Sequence, residues 1–588
     1  EFDRGTQHEW SLEAINDGGS FLDNNVTIFD SSDASDVNDK VEPGMHVLLH
    51  AYHTELPAKL CPYVNSNRCT CNPKCGSVTP GVGVVLRAND DGTCDVLLDR
   101  EHLSNIPKDQ RTIVCSTCLQ EKLAFALPQL RCSGCECTIR NKSNYFLEVA
   151  LQTKLCRSCY EGLNRGQKPE LLADADLSAM NFEKKLWEAK EEEEADHYVQ
   201  CEGKCKRWYH YICAMFPDPA QLPHDWALDD QKFVCHSCRK NSQDLKQEHT
   251  RRLLAVQSRT ACDLPTCKLS DAIEAHLAEQ LAKNSVIAKD VVVRVASCKK
   301  YKYKAVQKIR NRYDGYPDGF PYISKALLAF QKIEGRDVCF FAMYVQEYGA
   351  NCPQPNTNRT YISYLDSVRY LQTSPPDRRT LVYHSIVNGY LKQACALGFT
   401  HAHIWVEPPK PGDEYIFHCR PVDQQHGTRP MTGSKLRSWY QAMLTRAQEC
   451  GIVREFGDIQ EEIIQHLTSI RDFPMFEGDF FPEHMMQQLL AENSGPPGLA
   501  RKKSDLIIQE MTKQVGSKRS RFLVALLNTS KQADIEMEAS SPYVSNQLVD
   551  SRHLFLQGCL SKHWQYNELR RAHYTTMMIL ATLGGRPT

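Results

Sequence analysis

The sequence predicts a multidomain chain in which a C-terminal α/β domain follows a cysteine-rich metal-binding block and a small β module. Three observations carry that expectation. From Val291 onward, apolar runs of strand length alternate with helical patterns, the arrangement of an α/β domain. Seventeen of the 26 Cys fall before residue 240, mostly as close pairs. Disulfide frameworks belong to small secreted domains, so structural zinc in a reducing compartment is the expectation. A length of 588 residues also exceeds what one core serves, since cores stop growing near ~250–300 residues, and about four domains are expected.

Residues 1–41 are rich in Asp, Asn, Ser and Gly, too poor in apolar surface to offset ordering entropy, and read as a mobile tail. Residues 42–110 read as a small β module. Met45 to His50, Gly83 to Arg87 and Thr93 to Leu98 have strand character, the last two joined through Asn89-Asp90-Asp91-Gly92 as a hairpin. The pattern resembles a small Tudor-like or SH3-like barrel, with Cys61, Cys69, Cys71 and Cys75 in an insertion. The segment from Asn181 to Asp196, with Glu191 to Glu194, reads as a solvated connecting helix. Residues 241–290 read as a helical linker, carrying the i, i+4 pair Leu277 and Leu281. In residues 291–588, Val291 to Val295, Val338 to Val345, Thr360 to Leu365, His403 to Val406 and Tyr415 to Cys419 are expected as strands. Thr380 to Leu397 and Ser434 to Gln448 are expected as helices.

Within residues 111–240 the pairs are Cys115/Cys118, Cys132/Cys135 with Cys137 adjacent, Cys156/Cys159, Cys201/Cys205, His210/Cys213 and Cys235/Cys238. Two ligands separated by a short turn share one tetrahedral zinc without strain, so six pairs supply three sites, each closed by four protein ligands. The run from Cys201 to Cys238, with Trp208 before His210, looks like the latter three quarters of a PHD finger. Its opening pair is missing locally.

The remaining chemistry lies in an ordered series: Asp337-Val338-Cys339-Phe340-Phe341, Val345-Gln346-Glu347-Tyr348-Gly349, Tyr361 to Ser367, Arg379-Thr380, His403-Ile404-Trp405, Tyr415 to Cys419, Trp439-Tyr440, Phe476 to Phe480, Asp550-Ser551-Arg552 and Leu569 to His573. A Trp-Tyr pair alone is ordinarily a core feature. In this order the series closely resembles the lysine acetyltransferase domain of the CREB-binding-protein family, over about residues 111–585. The resemblance implies an α/β acetyltransferase domain preceded by a zinc-bound PHD finger with a RING-like insert. It implies a layout nearest to plant and protist members.

The same resemblance implies the site. Leu365, Asp366 and Ser367 line the pantetheine and pyrophosphate path of acetyl-CoA, Arg379 and Thr380 grip phosphate, and Trp439 packs on the cofactor. Tyr440 is the expected general acid for the coenzyme A sulfur, and Trp405 shapes the substrate lysine tunnel. Ser324, Glu477 and Asp550 line an acidic groove for histone tails. Lys435 stands where the family usually shows Arg, which reduces a bidentate phosphate contact to a point charge. The implied zinc sets are Cys115, Cys118, His210 and Cys213; Cys201, Cys205, Cys235 and Cys238; and Cys132, Cys135 or Cys137, Cys156 and Cys159. Cys339, Cys352 and Cys419 raise a thiol-nucleophile route, but none sits beside an evident activating base.

The 70 basic and 72 acidic residues nearly cancel, so the whole-molecule field gives no reason for strong nonspecific adhesion to nucleic acid or membrane; any DNA contact must be local, without direct sequence-specific DNA binding. No apolar run approaches the ~18 residues of a span. Glu1-Phe2, without an initiator Met, reads as the start of an excised fragment. The expected function is a nuclear histone acetyltransferase and transcriptional coactivator, acting by direct transfer on histone tails and other lysine-bearing proteins, with transcription factors as partners. The rival is a chromatin reader or scaffold built on the PHD and Tudor-like modules.

Overall fold

The computed structural model describes residues 46–49, 82–88, 94–98, 101–106, 111–113, 130–135, 138–140, 142–149, 153–164, 180–187, 198–203, 208–222, 232–235, 238, 248–408, 414–421, 424, 432–482, 500–529 and 545–584. The expected tail, the Cys61 to Cys75 stretch and Cys115, Cys118, Cys137 and Cys205 lie outside them. The chain forms two compact units, one of residues 1–126, 192–259 and 585–588, the other of residues 127–191 and 260–584.

In the first unit, the strands His46–Leu49, Val82–Ala88, Cys94–Leu98, Glu101–Ile106 and Arg111–Ile113 form one antiparallel sheet. The hairpin read across Asp91-Gly92 is present, with Val84 opposite Leu97 and Ala88 opposite Cys94. A second, two-stranded sheet pairs Tyr198–Gln200 with Trp208–His210. It lies beside a core of Cys201, Phe216, Phe233, Val234, Cys235 and Leu253.

The second unit is built on a seven-stranded sheet. Its strands are β1 (Val291–Lys304), β2 (Gly319–Ile333), β3 (Arg336–Tyr348), β4 (Arg359–Ser367), β5 (His401–Trp405), β6 (Val453–Asp458) and β7 (Phe522–Leu527), in the order β1-β2-β3-β4-β5-β7-β6. Every pairing is antiparallel except β4 with β5. The β2–β3 connection is a two-residue turn in which Glu334 and Gly335 both have positive φ, the turn whose twist matches its strands. The unit's helices of ten or more residues, among the described residues, are α1 (Lys268–Lys283), α2 (Arg379–Leu397), α3 (Gly433–Glu449), α4 (Ala500–Val515), α5 (Arg552–Ser561) and α6 (Leu569–Leu583).

α1 buries Leu269, Ile273 and Leu277, a helical stripe. It approaches α2 closely because Gly389 has no side chain; a Cβ there would lie 3.0 Å from the Ile273 Cα. α6 is buried from Arg571 to Ala581 and is tied to the sheet where Thr576 Oγ1 accepts from the Cys339 amide at 2.9 Å. Beneath α2, Lys325 and Glu347 form a buried ion pair at 2.7 Å, and the Tyr390 hydroxyl donates to Glu347 at 3.3 Å. Both charges are thus compensated inside the fold.

Two local expectations are corrected. Phe182–Trp187 is a strand, not the start of a connecting helix, because it pairs antiparallel with Ser143–Glu148 and packs Phe182 and Trp187 on the core around Leu155. Tyr415 to Cys419 is a bent segment rather than a strand. Two of its amides point to a carboxylate instead of a neighbouring strand. Among the described residues no helix is long and apolar enough to cross a membrane.

Candidate active site

The site begins with an irregularity in β4. Opposite β3 the register slips between Tyr344 and Val345, which face Tyr364 and Ile362 and leave Ser363 as the extra residue. The Ser363 hydroxyl donates to the Tyr344 carbonyl at 3.0 Å. Such a bulge bends and twists its strand. On the other side, β4 pairs with β5 only from Arg359 opposite His401 to Ile362 opposite Ile404. Past that point Tyr364 to Ser367 on β4 and Trp405 on β5 are no longer hydrogen-bonded to each other. In an open α/β sheet the crevice outside the carboxyl ends of such strands is where a ligand is accommodated, and this end of β4 and β5 is the candidate cleft.

The bent segment 414–421 is strapped to this cleft by Asp366. Its carboxylate accepts from the amides of Ile416 (3.0 Å) and Phe417 (3.2 Å), from Arg420 Nη2 (2.8 Å) and from the Ser367 amide (2.8 Å). The strap carries Tyr415, whose ring meets Tyr364 edge-on at 6.2 Å and whose hydroxyl donates to the Glu407 carbonyl. Arg552 closes the other side: its guanidinium lies 4.5 Å from the Tyr364 ring centre and donates to the Tyr415 carbonyl at 3.0 Å.

Tyr440 is buried on α3. Its phenol is pushed up, first by burial and then by the nearby Asp366 charge, which disfavours a second negative group. Trp439 meets Tyr440 edge-to-face at 4.9 Å and His384 of α2 at 4.5 Å. His384 is buried and held down to about 3 by burial and by Arg446, whose Nη1 lies 2.7 Å from His384 Nδ1. The imidazole is therefore a neutral wedge behind Trp439. Trp405 is half-buried and packs on Phe480 and Phe522, each at 6.1 Å.

At the far end of the cleft, Arg379 opens α2 and donates to the Arg369 carbonyl at 2.9 Å, with Thr380 exposed beside it. The first turn of a long helix and a guanidinium together favour an anion. Lys435 is exposed in the first turn of α3, where Thr432 caps its amide.

Ser324, Glu477 and Asp550 come together along β1 and β2. Ser324 stands opposite Lys299 in register. Lys299 reaches Asp550 at 3.2 Å, and Tyr322, two residues before Ser324, donates to the Glu477 carboxylate. Asp550 also accepts from Ser297 (2.7 Å), Ser545 (2.7 Å) and the Asn546 amide (2.8 Å). Burial raises its carboxyl, but these donors outweigh burial and hold it below the usual range. His384, Arg420 and Arg552 were not legible as site residues, since each acts through a contact distant in sequence. The Asp550-Ser551-Arg552 motif was the one available signal.

Among the described residues, cysteines of the zinc block group as four and three. Cys132, Cys135, Cys156 and Cys159 present sulfurs all within 4.8 Å of one another, as do Cys201, Cys235 and Cys238. The Cys156 and Gly134 amides donate to Cys132 Sγ at 3.1 and 3.4 Å, and the Cys235 amide to Cys201 Sγ at 3.2 Å. Hydrogen bonds from Cys135, Cys156 and Cys159 hold the Cys132 thiol far below its ordinary range. A set of soft donors already directed at one point fits a tetrahedral zinc. His210 Nδ1 and Cys213 Sγ are 4.0 Å apart.

Residues 277–551 match the family described as histone acetyltransferase domain KAT3. The chain is similar to histone acetyltransferase HAC12 of Arabidopsis thaliana, 32% identical over 504 residues that cover 79% of this chain and 27% of that protein. It is similar to probable histone acetyltransferase HAC-like 1 of Oryza sativa subsp. japonica, 36% identical over 415 residues, 64% of this chain and 24% of the relative. Protein cbp-1 of Caenorhabditis elegans is 29% identical over 541 residues, covering 79% and 25%. The chain spans about a quarter of the length of these relatives.

Proposed function

Residues 277–551 match the KAT3 histone acetyltransferase domain, and on that premise we propose that the chain belongs to that family and transfers acetyl groups from acetyl-CoA directly to histone lysines in the nucleus, as a transcriptional coactivator. The observation that carries this reading is the parting of β4 and β5 beyond Ile362 and Ile404, with a buried, protonated Tyr440 on α3, whose first turn carries Lys435. Acetyl-CoA supplies the activated acyl group.

This chain's residues supply the rest. Leu365 and Ser367 line the opened edge of β4, while Asp366 holds the strap that narrows it. Arg379, Thr380 and Lys435 offer charge and hydroxyl to phosphates, the guanidinium with two-point geometry and the ammonium as a point charge. Trp405 and Trp439 wall off water. Tyr440 keeps its proton at neutral pH and gives it to the departing sulfur, the role of a general acid. Glu477 and Asp550 give the lysine entrance a negative field that attracts basic tails, with Ser324 between them.

Three zinc ions with the ligand sets expected above would close the small cores of the PHD-like and RING-like parts. Other lysine-bearing proteins are further substrates, and transcription factors the recruiting partners. Incubation of the purified chain with core histones and radiolabelled acetyl-CoA tests the reading. Label in the histones is expected; folded protein that transfers none leaves the scaffold reading in its place.

A further inference from the structure

β1 is the outer strand of the large sheet, and its last residues carry a charge pattern that acetyl transfer does not use. Lys300, Lys302 and Lys304 are exposed and alternate with Tyr301 and Tyr303, which are half-buried. A period of two sends the two sets to opposite faces. The rings are taken up there, Tyr301 stacking on Tyr322 at 5.7 Å and Tyr303 on Phe320 at 6.2 Å. The Lys302 stem crosses Gly319 on the neighbouring strand, where a Cβ would lie 2.9 Å from Lys302 Cε.

The short helix Gln307–Arg312 follows and adds the exposed Lys308. On the same helix Arg310 pairs with Asp318 at 3.2 Å and Arg312 lies over the Tyr313 ring at 5.9 Å. Alternate strand residues repeat at about 6.6 Å, so the three strand lysines form a row about 13 Å long.

We propose that this row, extended by Lys308, is a docking surface for the phosphate backbone of duplex DNA. Charge complementarity selects a polyanion. The lysine face presents no ring on which an unpaired base could stack, which disfavours single strands. A lysine ammonium is a point charge, and contacts to phosphate position a protein on the duplex without reading its bases, so the contact is independent of sequence and local to one edge of a nearly neutral chain. Lysines on an outer strand also discourage edge-to-edge pairing, a role that needs no ligand and that the experiment separates from this one.

The test measures fluorescence anisotropy of a labelled duplex of about 30 base pairs with the whole chain, without acetyl-CoA, between about 50 and 200 mM salt. Salt-sensitive binding is expected. The triple variant Lys300→Gln, Lys302→Gln, Lys304→Gln should bind at least about tenfold more weakly at low salt, with the slope of log K against log salt shallower by about 3. Lys→Arg at the same positions should retain binding, and circular dichroism checks the fold. Unchanged affinity or slope in the triple variant overturns the proposal. Equal competition by an acidic peptide, or tighter binding of single strands, overturns the choice of duplex DNA. Cosubstrate is absent, so this outcome is independent of acetyl transfer. Acetylation of free histone peptides should be the same in the triple variant.

Discussion

Tyr440 is buried with its phenol above the ordinary range, so replacing it removes a proton donor without opening a large cavity. Tyr440→Phe should lower kcat by about a hundredfold or more, the usual worth of a positioned acid, and leave coenzyme A affinity within about twofold. Steady-state kinetics with calorimetric binding check both arms. His384 gives a second prediction at this scale. Its folded value near 3 lies below the unfolded value of about 6.5, so the unfolded chain binds the proton more tightly and stability falls as pH drops from about 6.5 toward 3. The contribution lost by pH 5 is about 2 kcal/mol. Other buried histidines are depressed too, so the comparison is between wild type and His384→Gln, whose melting temperature should depend less steeply on pH. Aromatic identity at 439 and 440 was legible in the sequence; the imidazole wedge behind them was not, because α2 and α3 meet only in the folded chain.

At the scale of elements, the unbroken apolar run from Val338 to Val345, short and rich in aromatic and β-branched residues, announced β3, and the helical pattern from Thr380 to Leu397 announced α2. The failures are instructive. Tyr415 to Cys419 has strand composition, yet the Asp366 carboxylate captures the Ile416 and Phe417 amides, and a side chain fifty residues away overrides local propensity. Phe182–Trp187 mixes two lysines with Phe and Trp and takes its conformation from its partner strand. The strap makes a prediction: Asp366→Asn removes the charge opposing Arg420 and weakens bonds to buried amides. It should cost about 2–3 kcal/mol and raise KM for acetyl-CoA. A denaturant melt that leaves stability unchanged would show that the strap is held otherwise.

For the whole molecule, the sequence separated a cysteine-rich half from an α/β half, but spacing could not tell which cysteines share a core. Residues 127–191, with Cys132, Cys135, Cys156 and Cys159, belong to the same compact unit as the seven-stranded sheet. Metal removal is therefore predicted to reach that unit directly. Chelation should release about three zinc ions per chain, measured by a colorimetric indicator, and lower the melting temperature. Release of none would contradict the ligand sets. The account as a whole rests on the cleft between β4 and β5. A crystal structure with coenzyme A tests it most directly: the pantetheine arm should pass between Tyr364 to Ser367 and Trp405, with its sulfur beside the Tyr440 hydroxyl and phosphates at Arg379. Coenzyme A bound elsewhere, or a sulfur remote from Tyr440, would contradict it.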